Sequence, residues 1–215
     1  AWPIVKPLLQ SIAAKVNDGQ VCCDWVGEDG AGHFVKMVHN GIEYGDIQLI
    51  TEIYHIMKSL IALNNDEMST IFSKWNQSEL DSYLIEITAD ILAYKDERGQ
   101  HLIDKILDTA GQKGTGKWTV SSALEEGIPL TLIGESVFSR FLSALKEERV
   151  LASKLYPKSI KPLDGNKNVF IEDLRKALYG AKILSYTQGY QLMKAAAESH
   201  KWNLNYGGIA LMWRG

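Results

Sequence analysis

One stretch constrains this chain more than any other: a proline-free run from Ala31 to Ala62, entered through a glycine-rich turn at Gly27 to Gly32. One line of residues along it reads Lys36, Asn40, Glu43, Ile47, Ile50, Tyr54 and Met57, in alternating steps of four and three. Those steps return to one face of an α-helix, whereas a strand needs period two. A line that is apolar over its second half is expected to face a core. Lys36, Asn40 and Glu43 are then expected at the mouth of that buried line, one turn apart and pointing the same way. A lysine and a glutamate rarely go inside without a partner or a task.

The rest of the chain reads as helices separated by turns. Ile4, Leu8, Ile12 and Val16 predict an amphipathic helix over 4–16, ended by Asn17-Asp18-Gly19. Val21 to Val26 is extended at best. The break at Asn64-Asn65-Asp66 precedes a helix over 66–75, and Ser78 caps another that turns Leu80, Leu84, Ile87 and Ile91 inward. After a turn at Asp96 to Gly99 come a short helix over 103–107 and a second glycine-rich run, Ala110 to Thr119. Helices follow over 120–126, stopped by Gly127-Ile128-Pro129, and over 132–151. Tyr156 to Asn168, with Pro157, Pro162 and Asp164-Gly165, reads as a loop. A helix over 169–200 and a short one after Asn205 to Gly208 complete the chain. No sustained alternation occurs and no G-x-G-x-x-G follows an apolar strand, so the class is all-α with long central helices and no Rossmann unit.

Composition narrows the function. With 215 residues and a net charge of -3, the chain is not a general binder of nucleic acid or anionic membrane, which both want a basic surface. No apolar run approaches the ~18 residues of a membrane span, and no secretory signal is visible at the start. The absence of an initiator Met suggests a fragment or a processed chain. The two cysteines are adjacent, Cys22-Cys23, which reads as two reduced thiols rather than a disulfide framework or a metal motif. His55, His101 and His200 have no metal-like spacing, and no metal is expected.

Chemistry concentrates in two places. On the first long helix, Lys36 can be a general base if desolvated, or a surface lysine whose stem covers the stripe. Glu43, two turns on, can be the complementary acid or half of an ion pair. Asn40 between them suits a hydroxyl or carboxylate of a small substrate, or is a surface amide. His39 points to a neighbouring face, and Tyr44 lies one step off the line. Gly41 and Gly45 allow close approach of a ring or of another helix. The second place is Gly111 to Thr119. It falls short of a P-loop because Trp118 follows Lys117 and no strand precedes it. Glycine-rich amides at a helix start, with Lys113 and Thr115, still suit an anion, and Arg140 is a candidate bidentate partner for phosphate.

Three blocks carry a resemblance: Gly32 to Asp46, Gln112 to Thr119, and Leu204 to Gly215. In this order they resemble the signature blocks of the decarboxylating 6-phosphogluconate dehydrogenase family, and the likeness runs over essentially the whole chain. The resemblance implies the family's C-terminal helical domain, and a cytoplasmic enzyme of the pentose phosphate route. It implies oxidation of 6-phosphogluconate with NADP, releasing carbon dioxide and ribulose 5-phosphate. It implies Lys36 as the base, Glu43 as the acid that protonates C1, His39 and Asn40 on the sugar acid, and Tyr44, Lys113, Thr115 and Arg140 on the phosphate. It also implies a homodimer. Residues 1–215 are then one substrate and dimerisation domain. Residues 1–26 are the end of a segment leading from a nucleotide-binding domain absent here, and a C-terminal tail is absent too. Such a chain is expected to be inactive alone. Another β-hydroxyacid dehydrogenase, or a non-catalytic helical dimer module, are the alternatives.

Overall fold

The computed structural model describes residues 1–111, 113–156, 161 and 163–214. Among them the helices are α1 (Trp2–Ile12), α2 (Ala31–Ser59), α3 (Asn65–Trp75), α4 (Tyr83–Ala93), a 3-10 turn at Leu102–Lys105, α5 (Thr115–Glu125), α6 (Thr131–Ala144), α7 (Lys146–Leu155), α8 (Lys167–His200) and α9 (Tyr206–Met212). The only extended pairings among the described residues are two isolated antiparallel bridges, Lys15 with Val21 and Lys95 with His101. The all-α class with long central helices is what the chain adopts.

Helices α2 and α8 form the central antiparallel pair. Going up α2 while going down α8, Ile42 meets Gly189, Gly45 meets Ser185, and Asp46 pairs with Lys182. The pair runs through two cores. One gathers Val35, Val38 and Ile42 with Ala123, Ile133, Leu192 and Ile209. The other gathers Ile50, Ile53 and Met57 with Met68, Phe72, Ile85 and Leu178. Helices α5 and α6 pack on α2 beside the first core, and α3 and α4 close the second.

The buried face of α2 is not the line Lys36 to Met57. It runs through Val35, Val38, Gly41, Ile42, Gly45, Asp46, Ile50, Ile53 and Met57. Lys36 is exposed, and Asn40, Glu43, Ile47 and Tyr54 are half-buried. The reason is the pair of glycines. A Cβ on Gly41 would stand 2.7 Å from the Thr119 side chain, and one on Gly45 would stand 2.5 Å from Ser185 Oγ. Closest helix approach therefore falls on the glycines, and the polar line is left at the edge of the contact. Tight helix crossing, not ring binding, is the use of Gly41 and Gly45.

Several boundaries also differ from expectation; α5, expected from Val120, already starts at Thr115. Helix α1 ends at Ile12, where Ala13 turns extended, and the Cys22 N–H then donates to Ala14 O. Its apolar residues Ile4, Leu8 and Ile12 are exposed rather than packed. Ser82, not Ser78, precedes α4. The Ser78 hydroxyl donates back to Trp75 O at 2.6 Å and closes the turn after α3. The inward residues of α4 are Ile85, Ala89 and Leu92, whereas Ile91 is exposed. The 132–151 helix is two helices broken at Leu145 (φ -79°, ψ 52°), where the Arg149 guanidinium donates to Ser143 O. The short 103–107 helix is the 3-10 turn. Pro157 and Pro162 lie outside the described residues.

Candidate active site

The site lies where α2 passes the start of α5. On α2, Lys36 Nζ donates to Asn40 Oδ1 at 2.7 Å, one turn on, and stands 3.3 Å from His39 Nδ1. Asn40 Nδ2 in turn donates to Thr115 Oγ1 at 3.2 Å, crossing to α5. The amide thus has its oxygen toward the cation and its nitrogen toward the hydroxyl. Thr119, fully buried, holds the two helices together from below: its hydroxyl is 2.9 Å from Met37 O and 2.8 Å from Thr115 O.

The second half of the site is built around Tyr44. The Arg140 guanidinium from α6 stacks 3.8 Å over the Tyr44 ring, a cation–π contact. Arg140 Nη1 also donates to Gly111 O at 3.0 Å. Tyr44 also meets Gly116, where an added Cβ would come within 2.6 Å of the ring. Only a glycine lets α5 start this close to the tyrosine. Gly114 precedes α5 with φ 105° and the helix has no side-chain cap, so its first amides are not taken by its own side chains. Lys113 is exposed beside them. Lys36, His39, Asn40 and Thr115 thus form one cluster, and Tyr44, Arg140 and Gly116 an adjoining one. Thr115 and Gly116 are consecutive, which joins the two. The Tyr44–Arg140 end also opens on a groove of about 660 Å³, lined beyond it by apolar residues such as Ile47, Leu84 and Ile103.

Charge is unevenly placed. Burial, and then the charge of Lys36, holds the His39 imidazole below its ordinary pKa, against the Asn40 hydrogen bond and Glu43. Glu43 is half-buried, with no hydrogen bond to the described residues. One turn further, Asp46 is buried and paired with Lys182 of α8. Burial pushes the Asp46 carboxyl up, and the Lys182 charge opposes that. The spacing argument missed this pair: Asp46 stands three residues from Glu43, but Lys182 is 136 residues away and carries no local signal. The desolvation of Lys36 that spacing suggested is also not present, because Lys36 is exposed. Among the described residues no cluster of His, Cys, Asp and Glu can hold a metal, and no helix is long and apolar enough to cross a membrane.

Comparison with known proteins places the sequence and the fold in one family. Residues 32–215 match the family model "6-phosphogluconate dehydrogenase, C-terminal domain". Among curated relatives, the decarboxylating 6-phosphogluconate dehydrogenase of Ovis aries is 63% identical over 217 residues, covering 100% of this chain and 45% of its own length. That of Drosophila melanogaster is 63% identical over 216 residues, covering 100% and 44%. The chain thus spans about half the length of the curated relatives it matches. Among solved structures, Plasmodium falciparum 6-phosphogluconate dehydrogenase superposes with a TM-score of 0.93 at 47% identity, covering 100% of this chain and 46% of that one. That protein was solved in its apo form, with its cofactor NADP+ and with its substrate 6-phosphogluconate. By sequence and by fold alike, the chain belongs to the 6-phosphogluconate dehydrogenase family, as its C-terminal domain.

Proposed function

We propose that this chain is the substrate half of a decarboxylating 6-phosphogluconate dehydrogenase. The observation that carries the reading is the hydrogen-bonded line Lys36–Asn40–Thr115, continued within two residues by the Tyr44–Arg140 stack. That is a general-base candidate at one end and an anion site at the other, as a phosphorylated sugar acid requires. Thr115, Lys113 and the uncapped α5 amides take the phosphate, with Arg140 as its bidentate partner. Arg140 must exchange its bond to Gly111 O for one to the ligand. Tyr44 supports that guanidinium from beneath. Asn40 and His39 hold the hydroxyls and carboxylate.

In the reaction, Lys36 accepts the proton of the 3-hydroxyl as C3 gives up its hydride, for which the family's NADP would supply the acceptor, and returns the proton to the C3 oxygen as the C1 carboxylate leaves as carbon dioxide. Glu43 then protonates C1 of the enediol. Lys36 works as a base only when neutral, and loss of water around it favours that form. The covering of this exposed lysine comes from substrate and from parts of the protein beyond this chain. The family's cofactor is NADP. Among the described residues there is no βαβ unit, hence no crevice of the kind that holds a dinucleotide. These residues do not fit NADP, which is bound elsewhere in the protein, and the chain alone turns nothing over. The exposed apolar residues Phe138, Phe141, Leu142, Leu151 and Leu155 on α6 and α7 favour a homodimer, since a face of that kind needs covering.

Calorimetric titration with 6-phosphogluconate and with gluconate tests the reading. The phosphorylated acid should bind at least about tenfold tighter, and Arg140→Ala should erase most of that margin. Equal affinities would point to an unphosphorylated hydroxyacid. No binding by an intact dimer would leave a helical dimerisation module.

A further inference from the structure

An aromatic series leads from the end of α9 into the site. Tyr206 lies 6.2 Å from Tyr190 of α8, Tyr190 lies 5.7 Å from Trp213, and Trp213 lies 5.1 Å from the His39 ring. The last two contacts are edge-to-face, with interplanar angles of 68° and 66°. Trp213 itself is held from both neighbours. Met212 Sδ accepts the Asp24 N–H at 3.1 Å, and Arg214 Nη2 donates to Gln20 Oε1 at 2.7 Å. Arg214 also faces Asp18 at 3.9 Å. The chain on either side of the indole is therefore fastened to the segment 18–24, and the indole cannot swing away without breaking those contacts.

An imidazole on a helix turns broadly about its last torsion. Lys36 and Asn40 restrain one edge of His39, at Nδ1. The ring of Trp213 restrains it from another direction. We infer that Trp213 is a positioning residue of this site: its indole, packed edge-to-face, fixes the His39 plane so that Nδ1 faces Lys36 and Nε2 is left for the substrate. This rests on the reading of His39 as a substrate ligand. The charged groups acting on His39 are Lys36 and Glu43, both on α2. Behind the indole, α8 contributes Tyr190, whose hydroxyl burial pushes up from its ordinary pKa. The burial that holds His39 in its neutral form is thus supplied in part by Trp213.

The test is an NMR titration of the five histidines in this chain, with Trp213→Ala, Trp213→Leu and Trp213→Phe. In the alanine variant water reaches His39, so its midpoint should move up toward that of a free imidazole. The phenylalanine variant keeps a ring edge and should stay near the parent. Affinity for 6-phosphogluconate should fall about three- to tenfold in the alanine variant, the worth of one aromatic pair, and recover to within about twofold with phenylalanine. Should the alanine variant fail to fold, the leucine variant, smaller than the indole and without a ring, still opens room for water beside His39 and is judged by the same criteria. A folded alanine or leucine variant whose His39 titrates as in the parent overturns the inference. If the unsubstituted chain binds no 6-phosphogluconate, the reading of the site fails instead, and the titration alone decides the role of Trp213.

Discussion

Helices α3 and α5 are each 11 residues long, and they start in opposite ways. α3 is held from within. Asn64 accepts the Glu67 N–H at 2.9 Å while the Glu67 carboxylate accepts the Asn64 N–H at 2.7 Å, a complete capping box. α5 has no side-chain cap and is held from outside. The run before it is tied to α6 and α7: Arg140 binds Gly111 O, the Ala110 N–H donates to Ser143 Oγ, and Asp108 pairs with Lys146 and Arg149. A helix that spends its first amides on its own side chains is more stable and offers nothing to a ligand. A helix braced by its neighbours keeps those amides available. The same length of chain is used once for stability and, on the proposed reading of the site, once for recognition.

Three changes break or sharpen that contrast. Gly116→Ala should have the largest effect. Its Cβ meets the Tyr44 ring at 2.6 Å and Val137 at 3.0 Å, an overpacking that costs about 1–3 kcal/mol and displaces α5 from Arg140. Denaturant melts should show the loss, and calorimetry a matching fall in 6-phosphogluconate affinity. Asn64→Ala should cost about 1 kcal/mol of stability through the lost cap, with ligand affinity unchanged; a change in affinity would mean the two starts are coupled. The smallest effect is acid release of the brace. Lys146 and Arg149 hold the Asp108 carboxyl at about 2, below its ordinary 3.8. A depressed folded value stabilises above the unfolded one, so the support from Asp108 is complete above about pH 4 and is lost as pH falls through about 2. NMR shifts of Ala110 and Ser143 should follow that titration.

How far the sequence could be read follows the range of the contacts. Lys36, His39, Asn40, Glu43 and Tyr44 fall within nine consecutive residues, so one helical period sufficed to group them. The two ends of the long helices were also legible, since glycines and asparagines mark them. The inward face of α2 was assigned to the wrong line, because the pattern rule looks for apolar bulk and the closest approach here goes through Gly41 and Gly45. The break at Leu145 has no glycine or proline to announce it; it arises from Arg149 reaching back to Ser143 O and Asp108. Asn40 with Thr115, 75 residues apart, and Asp46 with Lys182, 136 apart, exist only once the helices have packed. Spacing alone offered Lys113, Thr115 and Arg140 as a candidate anion site; the resemblance to a known family proposed a sugar phosphate for it and added Tyr44.

The close crossings have a consequence for how this domain can change. At Gly41, Gly45, Gly116 and Gly189 an added Cβ would come within 2.5 to 2.7 Å of a neighbouring side chain. No smaller residue exists, so variation at these positions can only push the helices apart. The distance from Lys36 to the Tyr44–Arg140 end is set by backbone against side chain rather than by a layer of exchangeable apolar groups. Selection for a longer or shorter ligand cannot stretch this frame by small steps. It has to work at the rim, through residues such as Lys113 and Arg140, and leave the ruler as it is.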